Sequence, residues 1–373
     1  MKKEPILSVK DLSVSFQMYD NGLEKYDLKV ISNLTKCYSI APLHYQGKDH
    51  ILVAAEKVDR CLLFDLDGNQ EDTVWEQPGG VMTMQQVPGT DGQFLATHKF
   101  YSPNDSKDAK IVIVTPKSKG NWEVRTLTDL PFVHRFDILE RNGVHYLIAC
   151  CLKSGHEFKD DWSSPGRVFA AVLPEDLSSF DEEHQLEMKV IKDQMLKNHG
   201  YYRVKENGQD TSVVSCENGI YQFIPPASPE GEWEITQLLD TPASDALLLD
   251  MDGDGEKELA VLAPFHGEKI DFYKKKDGRF EHVYSYGKDA EFVHAIWGGD
   301  IGGVPTVIIG HRKGDRDLLA FTYDQEKQEY RAERLDHDCG PANAYAYKYD
   351  GKDILIATNR EIDEVARYEL EME

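Results

Sequence analysis

The sequence contains no long apolar run. Nowhere along its 373 residues does it approach the roughly 18 consecutive apolar positions that a membrane-spanning helix needs. The segment from Ile6 to Phe16 interrupts its apolar residues with Ser, Lys and Asp, so it lacks the core of a signal peptide. We therefore expect no membrane partner and predict a cytoplasmic location.

Basic residues are also few. The chain has 42 Lys and Arg residues against 66 Asp and Glu residues, and its formal net charge at pH 7 is -24. A surface of this sign repels a nucleic-acid backbone and an anionic membrane. We therefore expect no nucleic-acid partner, and a well-solvated acidic surface.

The cysteines show no metal-binding or redox pattern. There are 6 of them, none in a CxxC pair, and Cys150 and Cys151 adjoin within an apolar run. This is typical of reduced thiols in a protein core and of a reducing compartment.

Familiar catalytic motifs are missing as well. The chain has no GxSxG elbow, no HExxH helix, no GxGxxG loop and no GxxxxGK[ST] loop. These absences argue against the common hydrolase, metalloprotease, dinucleotide-binding and ATPase classes. A convincing amphipathic helix is also lacking, since the best candidate, 181–197, is equally compatible with an outer β-strand.

What the sequence does contain is a repeat of paired β-type runs. The clearest copy, Leu130 to Lys153, joins two short runs through Asn142-Gly143, a strong hairpin signal. Similar outlines recur at Leu34 to Lys57, Gly80 to Lys99, Asn198 to Glu217, Ser244 to His266, Phe292 to Arg312 and Pro341 to Arg360. Their spacing is compatible with four-stranded propeller blades of ~40 to 50 residues that carry some loop insertions.

The repeat predicts an all-β fold, a seven-bladed β-propeller with four-stranded blades. We assign the propeller to residues 26–373 as a single domain and treat residues 1–25 as an N-terminal extension outside the repeat. One strand, Glu364 to Leu370, follows the last copy, and a spare strand, Tyr26 to Ser32, precedes the first. Pairing these two strands would close the ring and remove an exposed sheet edge.

The innermost strands of a propeller all begin around one central channel. The first inward positions of the copies are Tyr38, Met82, His134, His199, Asp245, His294 and Asn343, and the ends of the next strands include His98, Lys153, His266, His311 and Arg312. Imidazoles exchange protons near neutral pH, and neutral imidazoles bind transition metals. We predict a catalytic set of His134, His156, His199, His294 and His311. The alternative for any one of them is a hydrogen-bonded histidine without a chemical role.

A second group of residues is predicted to bind substrate. It comprises Arg135, Arg312, Lys153, His98, His266 and Trp162. The arginines could stabilise an oxyanion, or instead pair with nearby aspartates. Because strand neighbours point to opposite faces, His134 and Arg135 can face the channel together only if the strand has already ended. Trp162 lies in the insert SGHEFKDDWSSPGR, which suits sugar stacking or is an ordinary surface loop.

The segment DMDGDGEKE alternates acidic residues with glycines that allow tight coiling. Hard oxygen ligands at this spacing suit a structural Ca²⁺ or Mg²⁺, and the candidate ligands are Asp250, Asp252, Asp254 and Glu258. The alternative is an ordinary Asp/Gly hairpin turn.

Two resemblances to known families follow from these segments. LLLDMDGDGEKELAVLAP is similar to the FG-GAP or VCBS-type repeat of integrin-like propellers. PFVHRFDI, LKSGHEFKDDWSSPG and NHGYY resemble the propeller part of aldos-2-ulose dehydratase, a family that eliminates water from keto-sugars such as 1,5-anhydrofructose. The second resemblance implies channel roles for His134, His156 and His199. It does not extend to the family's C-terminal cupin-like region or to an isomerisation that depends on that region.

Together these features predict a carbohydrate lyase or isomerase whose partner is a small keto-sugar. One histidine would remove the proton beside the ketone while a second acid assists departure of a β-hydroxyl, with His134 and His199 as the pair. A divalent metal at the channel histidines, or an arginine, would stabilise the enediolate. The alternative is a non-catalytic propeller that binds a glycan or a protein, and the sequence leaves the oligomeric state open.

Overall fold

The computed structural model describes residues 13–17 and 25–371, with side chains from residue 28 onward. Within these ranges the chain forms 29 β-strands, one short 3-10 helix at Arg360–Ile362 and no α-helix. Every strand pairing is antiparallel, and the strands form seven sheets arranged as the blades of a β-propeller. None of the described residues forms a helix long and apolar enough to cross a membrane.

The first three blades follow the chain in order. Blade 1 comprises β3 (Cys37–Tyr45), β4 (Lys48–Ala55), β5 (Cys61–Asp65) and β6 (Gln70–Trp75). Blade 2 comprises β7 (Met84–Gln86), β8 (Phe94–His98), β9 (Lys110–Ser118) and β10 (Asn121–Asp129). Blade 3 comprises β11 (Val133–Arg141), β12 (Val144–Lys153), β13 (Pro165–Val172) and β14 (Lys189–Met195), so the candidate helix at 181–197 contains a strand instead.

The next three blades repeat this pattern. Blade 4 comprises β15 (Gly200–Glu206), β16 (Gln209–Cys216), β17 (Gly219–Ile224) and β18 (Glu234–Leu239). Blade 5 comprises β19 (Asp245–Leu249), β20 (Glu258–Ala263), β21 (Lys269–Lys276) and β22 (Arg279–Ser285). Blade 6 comprises β23 (Val293–Ile301), β24 (Val304–His311), β25 (Leu318–Asp324) and β26 (Glu329–Asp336).

Blade 7 joins the two ends of the chain, which confirms the predicted closure. Its strands are β27 (Asn343–Tyr349), β28 (Lys352–Asn359), β29 (Glu364–Glu371), β2 (Lys25–Asn33) and, as a fifth strand, β1 (Ser13–Gln17). The pairing of β2 with β29 runs from Lys25 opposite Glu371 to Asn33 opposite Glu364. The hydrogen bonds between β2 and β29 therefore close the ring within blade 7, and β2 leads directly into blade 1.

Apolar side chains fill the spaces between neighbouring blades. The second strand of a blade is covered on both faces, so β4 and β12 are almost continuously apolar and buried. Between blades 1 and 2, for example, Leu52 and Leu63 pack in one cluster with Phe94 and Val112. This packing holds the innermost strands rigidly around the channel.

Candidate functional site

Three of the innermost strands contain a β-bulge near their start, and each bulge directs one side chain into the channel. In β3, β11 and β23 one residue has no partner on the neighbouring strand, and these residues are Tyr38, His134 and His294. An unpaired extra residue of this kind turns its side chain away from the regular alternation. The residue two positions earlier has a positive φ in each case: 54° at Lys36, 65° at Phe132 and 61° at Phe292.

His199 reaches the channel through a close approach of two blades. It precedes Gly200, the first residue of β15, and a Cβ at that glycine would lie 2.6 Å from the backbone oxygen of Ser244. Only glycine permits this spacing, which brings His199 Nδ1 to 3.1 Å from the same Ser244 oxygen.

Backbone carbonyls determine the tautomer of the channel histidines. Nδ1 of His134 donates to the backbone oxygen of His199 at 3.1 Å, and Nδ1 of His294 donates to the backbone oxygen of Ala342 at 2.8 Å. A carbonyl oxygen can only accept, so Nδ1 carries the proton in both rings and in His199. In the neutral ring each Nε2 then carries a lone pair and acts as an acceptor.

Tyr38 lies between two of these lone pairs. Its hydroxyl oxygen is 3.3 Å from His134 Nε2 and 3.1 Å from His294 Nε2. Burial raises the pKa of Tyr38 to about 12, so the phenol keeps its single proton at neutral pH. It can donate fully to only one of the two nitrogens, and the channel therefore holds more acceptors than donors.

His266 completes a compact group of imidazoles. Its Nε2 lies 3.4 Å from Nε2 of His199, and its ring stacks between Phe265 and Phe292, with centroids 3.9 Å and 4.3 Å away. One ring nitrogen from each of His199, His266 and His294 lies within 4.8 Å of the others.

Burial keeps these imidazoles uncharged. It lowers the pKa of His134, His199 and His294 well below the ordinary value, and it lowers that of His266 to about 3. Neighbouring positive charges act in the same direction. Neutral imidazoles at pH 7 can accept a proton or ligate a metal without first losing one.

Arg135 faces the same channel as His134. Its guanidinium donates to the backbone oxygen of Met82 at 2.8 Å and to Asn343 Oδ1 at 3.3 Å, and it lies 5.7 Å from the centre of the Tyr38 ring. Neighbouring residues of a strand normally point to opposite faces. The bulge at His134 interrupts this alternation, so His134 and Arg135 both face the channel. The cation therefore sits beside the imidazoles without a carboxylate partner among the described residues.

Asp245 is the channel group that titrates closest to neutrality. It is 2 % exposed, and burial raises its pKa to about 7 while Arg135 acts in the opposite direction. Its Oδ1 accepts a hydrogen bond from the backbone N–H of Ala246 at 3.0 Å. A carboxyl with this pKa can act as an acid or a base near pH 7.

The donor set fits a divalent transition metal. The 3.4 Å between the Nε2 atoms of His199 and His266 matches the separation of about 3.4 Å between two imidazole nitrogens of a tetrahedral metal site. Carbonyl oxygens hold the Nδ1 atoms of His199 and His294, an arrangement common for histidine ligands. The surplus of lone pairs is an independent indication that the channel can accept a cation.

Three predicted site histidines, His98, His156 and His311, lie apart from this group. Nδ1 of His311 donates to the Lys313 backbone oxygen at 2.9 Å, and Nε2 accepts from the Asp317 N–H at 3.1 Å, so both nitrogens are used within blade 6. His98 packs against Trp75 with ring centroids 4.8 Å apart, and burial lowers its pKa to about 3.

The insert in blade 3 covers one side of the channel mouth. Lys153 is fully buried, donates to Asn104 Oδ1 at 2.8 Å and lies 4.6 Å from the ring centre of Trp162. Trp162 in turn contacts Phe265, beside His266. His156 packs on Phe132 and so lies near the mouth, outside the group of imidazoles.

Arg312 lies on the other side of the mouth. Its guanidinium is 4.8 Å from the ring centre of Phe292 and forms an ion pair with Glu361 at 2.7 Å. It forms no ion pair with the nearby aspartates Asp315 and Asp317.

The Asp-rich turn is located away from the channel, between β19 and β20. Oxygens of Asp250, Asp252 and Asp254 lie within 4.8 Å of one another, as a cation site requires. The Lys274 ammonium lies against two of these carboxylates, since it contacts Asp252 and Asp254, the latter at 2.7 Å, and it also contacts Glu258 at 3.5 Å. Glu258 is buried and also accepts the Met251 N–H at 2.7 Å.

Several channel residues were outside the predicted site. Tyr38 and Asp245 stood in the inward column but were assigned no role, and Phe265, Phe292 and Lys197 were not considered. A signal for the phenylalanines exists, since FVH occurs at both 132–134 and 292–294 and FH at 265–266. The repeated aromatic before a channel histidine marks the positive-φ bend or the stacking partner.

Comparisons with known proteins support the fold alone. No family model and no curated protein matches the sequence. A solved structure of streptogramin B lyase is similar with a TM-score of 0.55 and 13% identity, covering 93% of this chain and 98% of the other. A candidate 6-phosphogluconolactonase from Bacteroides uniformis is similar with a TM-score of 0.49 and 15% identity, covering 91% and 95%.

Proposed function

We propose that this chain is a carbohydrate lyase or isomerase that acts on a keto-sugar in the central channel. The observation that carries the proposal is the group of neutral imidazoles whose Nε2 lone pairs converge beside Arg135 and Tyr38. The short segments that resemble aldos-2-ulose dehydratase contribute His134 and His199 to that group. Streptogramin B lyase, a lyase by name, has a similar fold, so this scaffold is compatible with lyase chemistry.

The reaction begins with proton removal. A ketone acidifies the neighbouring C–H bond, and Nε2 of His134 accepts that proton while Nδ1 remains bonded to the His199 carbonyl. The electron pair of the C–H bond moves into an enediolate, whose oxygen is stabilised by the guanidinium of Arg135. The Tyr38 hydroxyl, 3.3 Å from the same nitrogen, must turn its proton to another acceptor for His134 to act as the base.

Departure of the β-hydroxyl completes the elimination. A general acid protonates the leaving oxygen, water leaves, and the enediolate electrons form the conjugated double bond. Asp245, with its pKa of about 7, is the candidate for this acid, because His199 is uncharged and its single proton lies on Nδ1, bonded to the Ser244 oxygen. Isomerisation differs only in that the proton returns to the neighbouring carbon.

A divalent metal ion, held by His199, His266 and His294, would supply Lewis-acid stabilisation of the enediolate when bound. As a metal ligand His199 would use the Nε2 lone pair and keep its proton on Nδ1, so the acid role stays with Asp245.

The test is incubation of the purified protein with 1,5-anhydrofructose and a panel of 3-keto-glycosides, with and without EDTA. Enone absorbance in the ultraviolet together with loss of water or of an aglycone by mass is the expected result. His134→Asn should slow turnover by roughly 10²-fold or more, while its loss of stability stays close to that of the control variant. The control is His98→Asn, which removes a buried histidine outside the channel.

The proposal fails if no substrate changes, or if His134→Asn and His98→Asn affect turnover equally. A folded protein that binds sugars by calorimetry but converts none of them would instead be a glycan-binding propeller. That outcome would select the non-catalytic alternative.

A further inference from the structure

Positively charged side chains and aromatic rings form a continuous arc at the channel mouth. The ammonium of Lys153 lies 4.6 Å from the ring centre of Trp162. The ammonium of Lys197 lies 5.8 Å from the same ring and 5.3 Å from that of Phe265. Trp162 and Phe265 touch each other, with centroids 5.6 Å apart, so these residues form one surface.

The arc continues past His266 into blade 6. His266 stacks between Phe265 and Phe292. On the far side of Phe292, Arg312 lies 4.8 Å and Lys313 5.2 Å from the ring centre. We call Lys153, Lys197, Arg312 and Lys313 the cationic arc.

The cationic arc carries more positive charge than its partners neutralise. Lys197 pairs with Glu217 at 3.1 Å, and Arg312 pairs with Glu361 at 2.7 Å. Among the described residues neither Lys153 nor Lys313 has an ion pair with a carboxylate, and Lys153 donates instead to Asn104 Oδ1 and to the Asp161 backbone oxygen. Asp160 and Asp161 also act on Lys153 from beyond ion-pair distance, which leaves Lys313 as the exposed cation of the arc that no ion pair of the described residues neutralises.

The positive charge extends to the imidazoles below. Phe265 and Phe292, the rings that stack on His266, are the same rings that Lys197, Arg312 and Lys313 face, so the electric field of these cations acts at His266. The same field opposes any metal cation placed among the histidines. An anion bound beside the cationic arc would offset this repulsion. The cations would also attract the anion when no metal is bound.

We infer that the substrate is an anionic sugar, one that bears a carboxylate or a phosphate group bound by the cationic arc. This inference rests on the proposed function for the sugar and its place in the channel, and it adds the charge of the substrate. Lys313 is exposed and Lys197 is half-buried, so both can reach a ligand that enters the mouth. Ammonium groups bind carboxylate and phosphate oxygens through charge-assisted hydrogen bonds.

Calorimetry with three probes tests the charge requirement without turnover. D-glucose, D-glucuronate and D-glucose 6-phosphate are titrated into the full chain at low salt and again at about 150 mM salt. We expect at least one anionic probe to bind about tenfold or more tightly than glucose, with the difference reduced at the higher salt concentration. A preference for glucuronate identifies the carboxylate as the recognised group, and a preference for the other anion identifies the phosphate.

Substitutions locate the anion. Lys197→Gln and Lys313→Gln should each weaken binding of the anionic probe severalfold and leave the affinity for glucose unchanged. Lys276→Gln is the matched control, because Lys276 ends β21 and does not belong to the cationic arc. Thermal unfolding of each variant confirms that it is folded.

Equal affinities for all three probes, or anion binding that neither substitution weakens, would overturn the inference. Its failure is distinguishable from failure of the proposed function. If neutral keto-sugars undergo elimination at rates that Lys197→Gln and Lys313→Gln do not change, the proposed function stands and the anionic substrate is refuted. If anions bind through these lysines but no substrate is converted, the anion-binding site stands and the proposed function is refuted.

Discussion

Each anchored channel histidine has one ring nitrogen left for chemistry. The Nδ1 atoms of His134, His199 and His294 all donate to backbone carbonyls of a following blade. The hydrogen bond sets the ring orientation and the tautomer together, which is the usual requirement for a histidine that accepts a proton or ligates a metal. His311 shows the contrast, because both of its nitrogens are already engaged.

Removal of the Tyr38 hydroxyl tests whether this group contributes to turnover as well as to stability. In Tyr38→Phe the ring remains in place but Nε2 of His134 and of His294 loses its neighbouring donor. We expect a stability loss of about 1 kcal/mol by denaturant unfolding and a larger effect on turnover, about tenfold or more. The control is Tyr349→Phe, whose hydroxyl contacts Asp67 at the surface. Equal turnover in both variants would contradict a role for Tyr38.

Within single strands, the local backbone geometry determines where the side chains of the site lie. The bulges in β3, β11 and β23 each add one residue at the start of the strand, and a positive φ precedes each of them. The bulge in β11 allows the side chains of His134 and Arg135 to face the channel together although they are neighbours in sequence. Blade 4 uses Gly200 and a close approach to blade 5 for the same purpose.

Gly200→Ala should disturb the site through this approach. The added methyl group would lie 2.6 Å from the Ser244 oxygen that anchors His199, so blades 4 and 5 must separate. We expect a loss of about 1 to 3 kcal/mol in the free energy of unfolding, together with weaker metal binding in the channel. Gly287→Ala is the control, because a methyl group there meets open space. Wild-type stability and metal affinity in Gly200→Ala would show that the spacing is not required.

The Asp-rich turn is the second local element with a testable property. Lys274 already supplies a positive charge to Asp252, Asp254 and Glu258. We expect Lys274→Met to lower the melting temperature, because it leaves buried and clustered carboxylates without a cation, and expect added Ca²⁺ to restore it. Lys276→Met serves as the control. If millimolar Ca²⁺ or Mg²⁺ stabilises neither the wild type nor Lys274→Met, the turn is not a cation site.

The ring as a whole determines which groups are buried, and burial sets how stability depends on pH. It lowers the pKa of His134, His199 and His294 well below the usual range, and that of His98 and His266 to about 3. In the unfolded chain these groups return to about 6.5, so below that pH the unfolded state binds more protons and the folded state loses stability. We expect the melting temperature to fall steadily from about pH 6.5 toward pH 4.

Asp245 contributes with the opposite sign. Its folded-state pKa of about 7 lies above the unfolded value of about 3.9, so its stabilising effect is present at low pH and is lost as pH rises. One such group in the channel does not outweigh the buried histidines. His199→Gln should flatten the pH dependence, while His44→Gln, at an exposed position, should not. A melting temperature that stays constant between pH 6.5 and 4 would contradict the assignment of neutral imidazoles.

The sequence by itself determined the architecture. Turn pairs such as Asn142-Gly143, Asn207-Gly208 and Asp350-Gly351 lie where the structure has the tight hairpins of blades 3, 4 and 7. The seven copies and the closing strands were readable because hairpin turns and two-residue alternation are local signals. The column of inward positions, with its histidines, followed from the same register.

Only the tertiary structure decided which of the polar residues meet. His311 ends β24 and His266 lies three residues beyond the end of the equivalent strand β20, yet His266 joins the imidazole group and His311 is held within its own blade. The carbonyl anchors, the bridging Tyr38 and the cationic arc all depend on contacts between different blades. Such contacts join residues that are tens to hundreds of positions apart, and they depend on bulges and on blade spacing that no local pattern specifies.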